Sequence, residues 1–285
     1  MDFIYLPDLG HRRTAHSITR FAVFPEYVIT NRKGKRLITV SDTVSDTTSD
    51  TAGETEPDNA MVFHFGTGIP YKLYYPENFK SIYTRLATVT DEKSLLRFVH
   101  QYGLLGTTRR YLPHDLTPLA INAPITEDQV NLCLDEANVM RYILESWIDA
   151  QNGISINRAM TGDYLYTQWS SLQNDIDDIT QTRAYLALRV TNYITGVRPV
   201  ANFTPEGKLI PGFGYLSLSD AIWHQLYQDM ISHEKFKECP RCKSWHTGRG
   251  RFCPSPPNYK RSPCENSYNQ KKIYRKKKEA QSNGR

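Results

Sequence analysis

The sequence predicts an α+β fold that is mainly α, in which a helical N-terminal body with small β-hairpins is followed by a cysteine-rich module. Three observations lead to this prediction. Apolar residues recur at helical spacing through much of the range 77–234, an alternating pattern typical of strands precedes them, and four of the five cysteines lie in the last fifty residues. We therefore divide the chain into a β-hairpin region (1–76), a helical domain (77–234) and a C-terminal module (235–285), which we expect to be an appendage of the body.

The β-hairpin region contains strand-like runs over 21–24 and 27–30, and then over 36–40, that are rich in apolar and β-branched residues. A polar stretch joins them and contains Gly34, which can adopt the positive φ of a tight turn, so we predict a hairpin over 20–41. The next range, 41–58, repeats Ser-Asp-Thr at four-residue spacing. It has too few apolar side chains to offset the entropy of ordering, and we predict a disordered acidic insertion there.

Helical periodicity predicts helices over 90–103, 126–153, 162–178 and 181–195, and a last helix that Ser219 or Asp220 caps and that extends through Met230. The first of these ends at a glycine, and the second begins with Thr126 and Gln129 in a capping-box pattern. A short hairpin is predicted over 200–209. Cys133 lies on the apolar stripe of the longest helix with no basic residue around it, so we expect a buried, inert thiol.

The C-terminal module begins with a Cys-Pro-Arg-Cys turn, from Cys239 to Cys242, whose two-residue spacer lets two thiolates converge on one ion. Cys253 and Cys264 follow, and in a chain without a secretion signal such cysteines indicate a metal site rather than disulfides. We predict a structural Zn²⁺ site of four cysteines, with no open position for catalysis, in a treble-clef-like or ribbon-like zinc finger. Replacement of Cys253 or Cys264 by His246 is one alternative, and a thioredoxin-like redox motif is another.

Positive charge is concentrated in the same module. Residues 235–285 contain 15 Lys and Arg against three Glu, a local balance of +12, whereas the rest of the chain carries −7. Such a cluster attracts phosphate, and the zinc site would hold the start of the basic helix that follows it. We predict that the module binds nucleic acid, with duplex DNA as the first candidate. The residues expected to contact it are Arg249, Arg251, Asn266, Lys271, Lys272, Arg275, Lys276, Lys277 and Lys278.

Two other interpretations of the module are open at this stage. Residues 270–285 could be a solvated tail with no partner, or zinc could fold a protein-interaction module whose basic tail is non-specific. Binding to a protein would survive high salt, whereas phosphate contacts would weaken steeply. Tyr268 and Tyr274 are expected to pack against the module, with stacking on bases as the alternative.

We do not expect an enzyme. The sequence has no phosphate-binding glycine loop and no Gly-x-Ser-x-Gly elbow, and His233 and Glu234 are followed by Lys-Phe-Lys rather than by the second histidine of a zinc protease motif. The first residues lack the basic start and apolar run of a signal peptide. No stretch approaches the roughly 18 apolar residues of a membrane span, so we expect a cytoplasmic protein without membrane contact.

The order of residues in the module resembles that of the bacterial Cys-Gly-Asn-Arg (CGNR) zinc-finger proteins and of the stress-induced transcriptional regulators that contain this finger. The matching residues are Cys239, Cys242, Phe252, Cys253, Cys264, Asn266, Tyr274 and Arg275. Glu265 and Ser267 stand where the signature has Gly and Arg, and the gap between the third and fourth cysteines is longer. Residues 81–105 and the helix before Cys239 also resemble the helical, ABATE-like domain that precedes this finger. The resemblance implies a DNA-associated regulator.

Overall fold

The structure is a computed structural model that describes residues 16–17, 20–41, 62–64, 70–76, 79, 81–107, 125, 127–156, 177–203, 207–232, 234–247, 250–253 and 262–282. In chain order its elements are β1 (His16–Ser17), β2 (Phe21–Val23), β3 (Tyr27–Arg32), β4 (Lys35–Val40), β5 (Val62–His64), β6 (Pro70–Tyr74), α1 (Ile82–Leu86), α2 (Glu92–Tyr102), β7 (Glu127–Gln129), α3 (Val130–Gln151), α4 (Asp178–Thr191), β8 (Val197–Phe203), β9 (Leu209–Tyr215), α5 (Leu218–Ile231), β10 (Lys237–Glu238), β11 (Trp245–His246) and α6 (Pro263–Ser282). Helices and small sheets are mixed along the chain, as expected of an α+β fold.

Among the described residues, the strands form three sheets of three strands and one ribbon of two. One sheet has the order β2-β6-β5 and another the order β3-β4-β7, and all pairs in both are antiparallel. In the third sheet β8 and β9 form the hairpin predicted near 200–209, and β1 joins β9 in parallel. The two predicted hairpins are therefore confirmed, but each is widened by a strand that is distant in sequence.

The β3–β4 hairpin turns where the sequence predicts. Arg32 lies opposite Lys35, and the two residues between them, Lys33 and Gly34, have φ of 50° and 75°. Positive φ at both central positions is the geometry of a type I′ turn, whose twist matches that of the flanking strands. Gly34 adopts this conformation without the steric penalty that a Cβ would bring.

The 90–103 helix and the last helix of the body are both capped by side chains. Asp91 caps α2, because its carboxylate accepts a hydrogen bond of 2.7 Å from the backbone N–H of Ser94. The last helix of the body, α5, begins two residues earlier than predicted. Its cap is Ser217, whose hydroxyl accepts from the backbone N–H of Asp220 at 3.1 Å. Ser219 is instead buried, and its hydroxyl donates to Glu136.

The capping box predicted at the start of the long helix is also wrong. Gln129 makes no side-chain capping bond, because it lies in β7, opposite Leu37 of β4, and α3 begins at Val130. Pairing with a distant strand therefore overrides the local helix-start pattern. The other residue of that pattern, Thr126, lies outside the described residues.

The hydrophobic core is built around α3, which contacts α1, α2 and α4, while α5 packs against α1 and α4. Trp223 of α5 and Met140 of α3 have no exposed surface. The carboxylate of Glu136 accepts from the indole N–H of Trp223, so this buried acid is hydrogen-bonded. Cys133 is 1% exposed, and burial raises its pKa, as expected for an inert core thiol.

Two predicted segments fall where the structure gives no description. These are the acidic insertion beyond Ser41 and the helix over 162–178 as far as residue 176. In the part of the chain that is described, no helix combines the length and the apolar character needed to cross a membrane.

Candidate metal centre

The first two cysteines lie in a tight turn at the end of the ribbon formed by β10 and β11. The strands pair antiparallel, with Glu238 opposite Trp245. The backbone N–H of Cys239 donates to the carbonyl of Ser244 at 2.9 Å, and the N–H of Lys243 donates back to the carbonyl of Cys239 at 2.9 Å. Lys243 closes the turn with φ of 63°. Cys239 and Cys242 are thus presented on one knuckle, as the two-residue spacer predicts.

The structure brings all four predicted cysteines together. The Sγ atoms of Cys239, Cys242, Cys253 and Cys264 all lie within 4.8 Å of one another. Tetrahedral zinc with Zn–S bonds of about 2.3 Å places its sulfurs roughly 3.8 Å apart, so the cluster fits one ion after small movements. The sulfurs of Cys242 and Cys253 are 3.3 Å apart, far beyond the roughly 2.05 Å of a disulfide. These four side chains could therefore hold a metal ion.

The pKa values of the four thiols are shifted in opposite directions. Burial acts to raise the pKa of Cys242, but the hydroxyl and backbone N–H of Ser244 lower it to about 6. Backbone N–H groups of the knuckle likewise lower the pKa of Cys239 against the effect of burial. Burial, and then the neighbouring Cys242 sulfur, raises the pKa of Cys264 to about 11 and that of Cys253 further. A divalent cation would remove the repulsion between these sulfurs and favour all four thiolates.

The fourth cysteine joins the cluster to α6. Ser262 caps this helix, since its hydroxyl accepts from the backbone N–H of Glu265 at 3.1 Å, and Cys264 lies in the first turn, as predicted. Arg241 of the knuckle donates through Nε to the hydroxyl of Ser267 at 3.0 Å. The start of α6 is therefore held by the knuckle as well as by the fourth sulfur. Ser262 was not predicted, although a serine before a helical run is a recognisable cap signal.

Aromatic packing holds the same end of α6. The ring of Tyr268 lies 5.2 Å from that of Phe252, and the guanidinium of Arg251 lies over the Tyr268 ring at 5.7 Å. Tyr268 packs against the module, as expected. Tyr274 does not: it is 70% exposed, and its neighbour Ile273 is 56% exposed. The packing expected for Tyr274 is therefore wrong, because α6 has left the module by that point.

The residues predicted to contact nucleic acid lie near the N-terminal end of α6 and along its length. Arg251 and Asn266 are exposed at the root, and Lys271, Lys272 and Arg275 are exposed further along. Lys276, Lys277 and Lys278 continue the same helix. Arg249 lies outside the described residues.

His246, the alternative ligand, is not part of the cluster. It is 1% exposed, and neither ring nitrogen makes a well-aligned hydrogen bond. Burial lowers its pKa, and the backbone of Arg251 opposes this effect. These observations indicate that His246 is a neutral imidazole packed beside the knuckle.

The module is packed against the helical body rather than being a simple appendage. The hydroxyls of Ser81 and Thr247 are 3.3 Å apart, and Thr247 also donates to Asp229 of α5 at 3.4 Å. Tyr83 of α1 donates to the same carboxylate, and its ring centroid lies 6.1 Å from that of Phe236. Most of these contacts join residues far apart in the sequence, so no local sequence pattern could predict them.

A second contact lies between the end of α3 and the segment that enters the module. The side chain of Gln151 donates through Nε2 to the carbonyl of Glu234 at 2.7 Å and accepts from the backbone N–H of Phe236 at 3.4 Å. The side-chain amide of Gln151 therefore forms hydrogen bonds with two backbone groups just before β10. The entry of the chain into the ribbon is held to the body on this side also.

Comparison of the chain with protein-family models, with curated proteins and with solved structures finds no match. The resemblance to CGNR zinc-finger proteins therefore rests only on the residues quoted for it.

Proposed function

We propose that residues 235–285 form a treble-clef-like or ribbon-like zinc finger that binds nucleic acid, with duplex DNA as the first candidate, and that the protein is a transcription regulator. One observation supports this most directly: Cys264 belongs both to the four-sulfur cluster and to the first turn of a long, exposed, basic helix. A metal bound by the cluster would fix the position and direction of that helix.

The chemistry of the cluster favours zinc. Four cysteine thiolates are soft ligands, and a closed set of four protein ligands is typical of structural zinc. Two ligands come from a knuckle at the end of a β-ribbon and the fourth from the first turn of a helix, an arrangement that supports a treble-clef-like finger. In this proposal zinc cross-links the module and takes part in no reaction.

The shape and charge of α6 suit a polyanion. Its 20 residues extend for about 30 Å, and an α-helix of 10–12 Å diameter fits the roughly 12 Å width of the DNA major groove. Lys271 and Arg275 are one turn apart and so lie on one side of the helix. Lysine predominates among its cations, which favours phosphate contacts over bidentate base recognition. Arg251 and Asn266, exposed near its root, are the first candidates for contacts with bases.

A protein partner is the second candidate function, and one observation favours it. Ile273 and Tyr274 are both more than half exposed in the middle of the basic helix. Adjacent exposed apolar side chains, unlike scattered single ones, can contribute to a patch that a partner covers. Such a complex would depend little on salt, in contrast to one made through phosphates.

The test compares the zinc-loaded full chain with a chain that ends at Gln270. This truncation retains all four cysteines and the packing of Tyr268 but removes the exposed cations of α6. The measurement is fluorescence anisotropy of a labelled mixed-sequence duplex, with single-stranded RNA of the same sequence in parallel. We expect the truncated chain to lose duplex binding, and removal of zinc from the full chain to weaken it. Unchanged binding by the truncated chain would show that α6 is not the contact surface.

A further inference from the structure

Thr247 joins the cysteine module to α5 and to the start of α1. It directly follows β11 and lies between the second and third cysteines of the cluster, Cys242 and Cys253. Its hydroxyl donates to Oδ2 of Asp229 in α5 at 3.4 Å, and the hydroxyl of Ser81, just before α1, lies 3.3 Å from it. Since the single hydroxyl proton of Thr247 is used for Asp229, Ser81 is the donor in the second contact. The chain between two of the proposed metal ligands is therefore held to the body by a side chain that is not a ligand.

The body holds its own side of this contact in place. Oδ2 of Asp229 also accepts from the hydroxyl of Tyr83 in α1, so one carboxylate oxygen joins α1, α5 and the module. Ser81 has φ of 57°, a left-handed conformation that persists outside glycine only where the surrounding contacts maintain it. The next residue is one such contact, because the backbone N–H of Ile82 donates to the side-chain oxygen of Gln225 in α5 at 3.2 Å. The two groups that meet the Thr247 hydroxyl are thus held by contacts within the body.

A second set of contacts holds the segment that leads into the ribbon of β10 and β11. The side chain of Gln151, at the end of α3, is hydrogen-bonded to the backbone carbonyl of Glu234 and to the backbone N–H of Phe236. The ring of Phe236 also lies against that of Tyr83, with 6.1 Å between the centroids. The ribbon is therefore held to the body where the chain enters it, and by Thr247 where the chain leaves it. The cysteine turn at its far end cannot move away as a unit unless these contacts break.

We propose that Thr247 is a positioning residue for the metal centre, and that through it metal binding is linked to docking of the module on the body. This inference rests on the proposed metal site. An ion bound by Cys242 and Cys253 restricts the segment between them and so keeps the Thr247 hydroxyl at Asp229, while docking restricts the same segment and so favours metal binding. Such linkage is reciprocal: metal stabilises the docked α1 and α5 by the factor by which docking strengthens metal binding. The body therefore responds to metal, although all four cysteines of the cluster lie in the module.

The test measures backbone hydrogen exchange of the full chain by mass spectrometry, with Zn²⁺ bound and after its removal by a chelator. Removal should speed exchange in α1 and in the last turns of α5 by about 5- to 150-fold, the usual range of coupling between two sites. Exchange in the β3–β4 hairpin, which pairs with β7, should change little. If zinc protects the β10–β11 ribbon but leaves α1 and α5 unchanged, the module is an independent unit and the proposal is overturned. An equal change in the β3–β4 hairpin would overturn it too, because it would show a global change in stability instead of undocking.

A pair of matched variants isolates the role of the Thr247 hydroxyl. Thr247→Val removes this hydroxyl and keeps the branched shape of the side chain, and the control Thr191→Val removes a hydroxyl that donates to the carbonyl of Leu188 within α4 at 2.6 Å. We expect Thr247→Val to bind one zinc per chain in native mass spectrometry, but with about fivefold lower affinity in competition with a chromophoric chelator and with a smaller effect of zinc on exchange in α1 and α5.

Thr191→Val should match the wild type in both measurements. If Thr247→Val also matches it, Thr247 does not position the metal centre, and the proposal is overturned while the metal site stands. A wild type that binds no zinc would show instead that the proposed metal site is wrong, and the inference would fall with it.

Discussion

Neutralising Lys271, Lys272 and Arg275 together is the sharpest test of the proposed polyanion contact. All three are exposed on α6, and the ion pairs found between described residues, Arg36 with Glu92 and Lys243 with Glu238, do not involve them. Each phosphate contact contributes about 0.9 to the slope of log K against log salt, so replacing all three by glutamine should reduce the slope by about 2.7. Over a four-fold rise in salt, from about 50 to about 200 mM, the wild type should lose roughly 40-fold more affinity than the variant.

The assay is duplex anisotropy at several salt concentrations, with circular dichroism to show that the helix content is unchanged. The matched control replaces Arg32, Lys33 and Lys35 by glutamine, which removes the same charge from exposed positions at the end of the β3–β4 hairpin. This control should keep the wild-type slope. Equal slopes for the wild type and the α6 variant would refute the argument, and a reduced slope in the hairpin control would show that only net charge matters.

The remaining predictions concern the metal, a helix cap and pH. Replacing Cys239 and Cys242 by serine should abolish zinc binding and lower the melting temperature, whereas Cys133→Ser should keep one zinc per chain in native mass spectrometry; zinc retained by the double variant would contradict the site. Ser217→Ala should lower the free energy of unfolding in urea by about 1 kcal/mol through loss of the α5 cap, and no change would argue against that cap. Burial lowers the pKa of His224 to about 4, so between that value and its ordinary 6.5 the unfolded chain binds more protons and stability should fall as pH falls. His224→Gln should reduce this pH dependence, and an unchanged dependence would exclude His224 as its source.

The elements predicted best are those whose signals are local. α2 is confirmed because its apolar stripe and its terminal glycine lie close together in the chain. The β3–β4 hairpin is confirmed because a two-residue turn with Gly34 fixes the register of both strands. The cysteine cluster was also predictable, since thiols with metal-ligand spacing have few other uses in a chain expected to be cytoplasmic.

The errors occur where distant residues compete with a local pattern. Gln129 was predicted at a helix start, but β7 pairs with β4 and takes that residue into a strand. Ser219 was a candidate cap, but its hydroxyl is bonded to Glu136 of α3, and Ser217 caps the helix instead. Tyr274 was expected to pack on the module, but the direction of α6 leaves it in solvent. In each case tertiary geometry decides between two roles that the local sequence allows.

For this protein the sequence alone determined which side chains can bind a metal, where the positive charge lies and which faces of the main helices are apolar. These properties depend on residue type and short spacing. Only the tertiary structure decided that the four sulfurs meet at the N-terminal end of α6 and that the module docks on the helical body through Ser81, Asp229 and Gln151. Such contacts join residues far apart in the chain, and their existence depends on how whole elements pack, which no local pattern specifies.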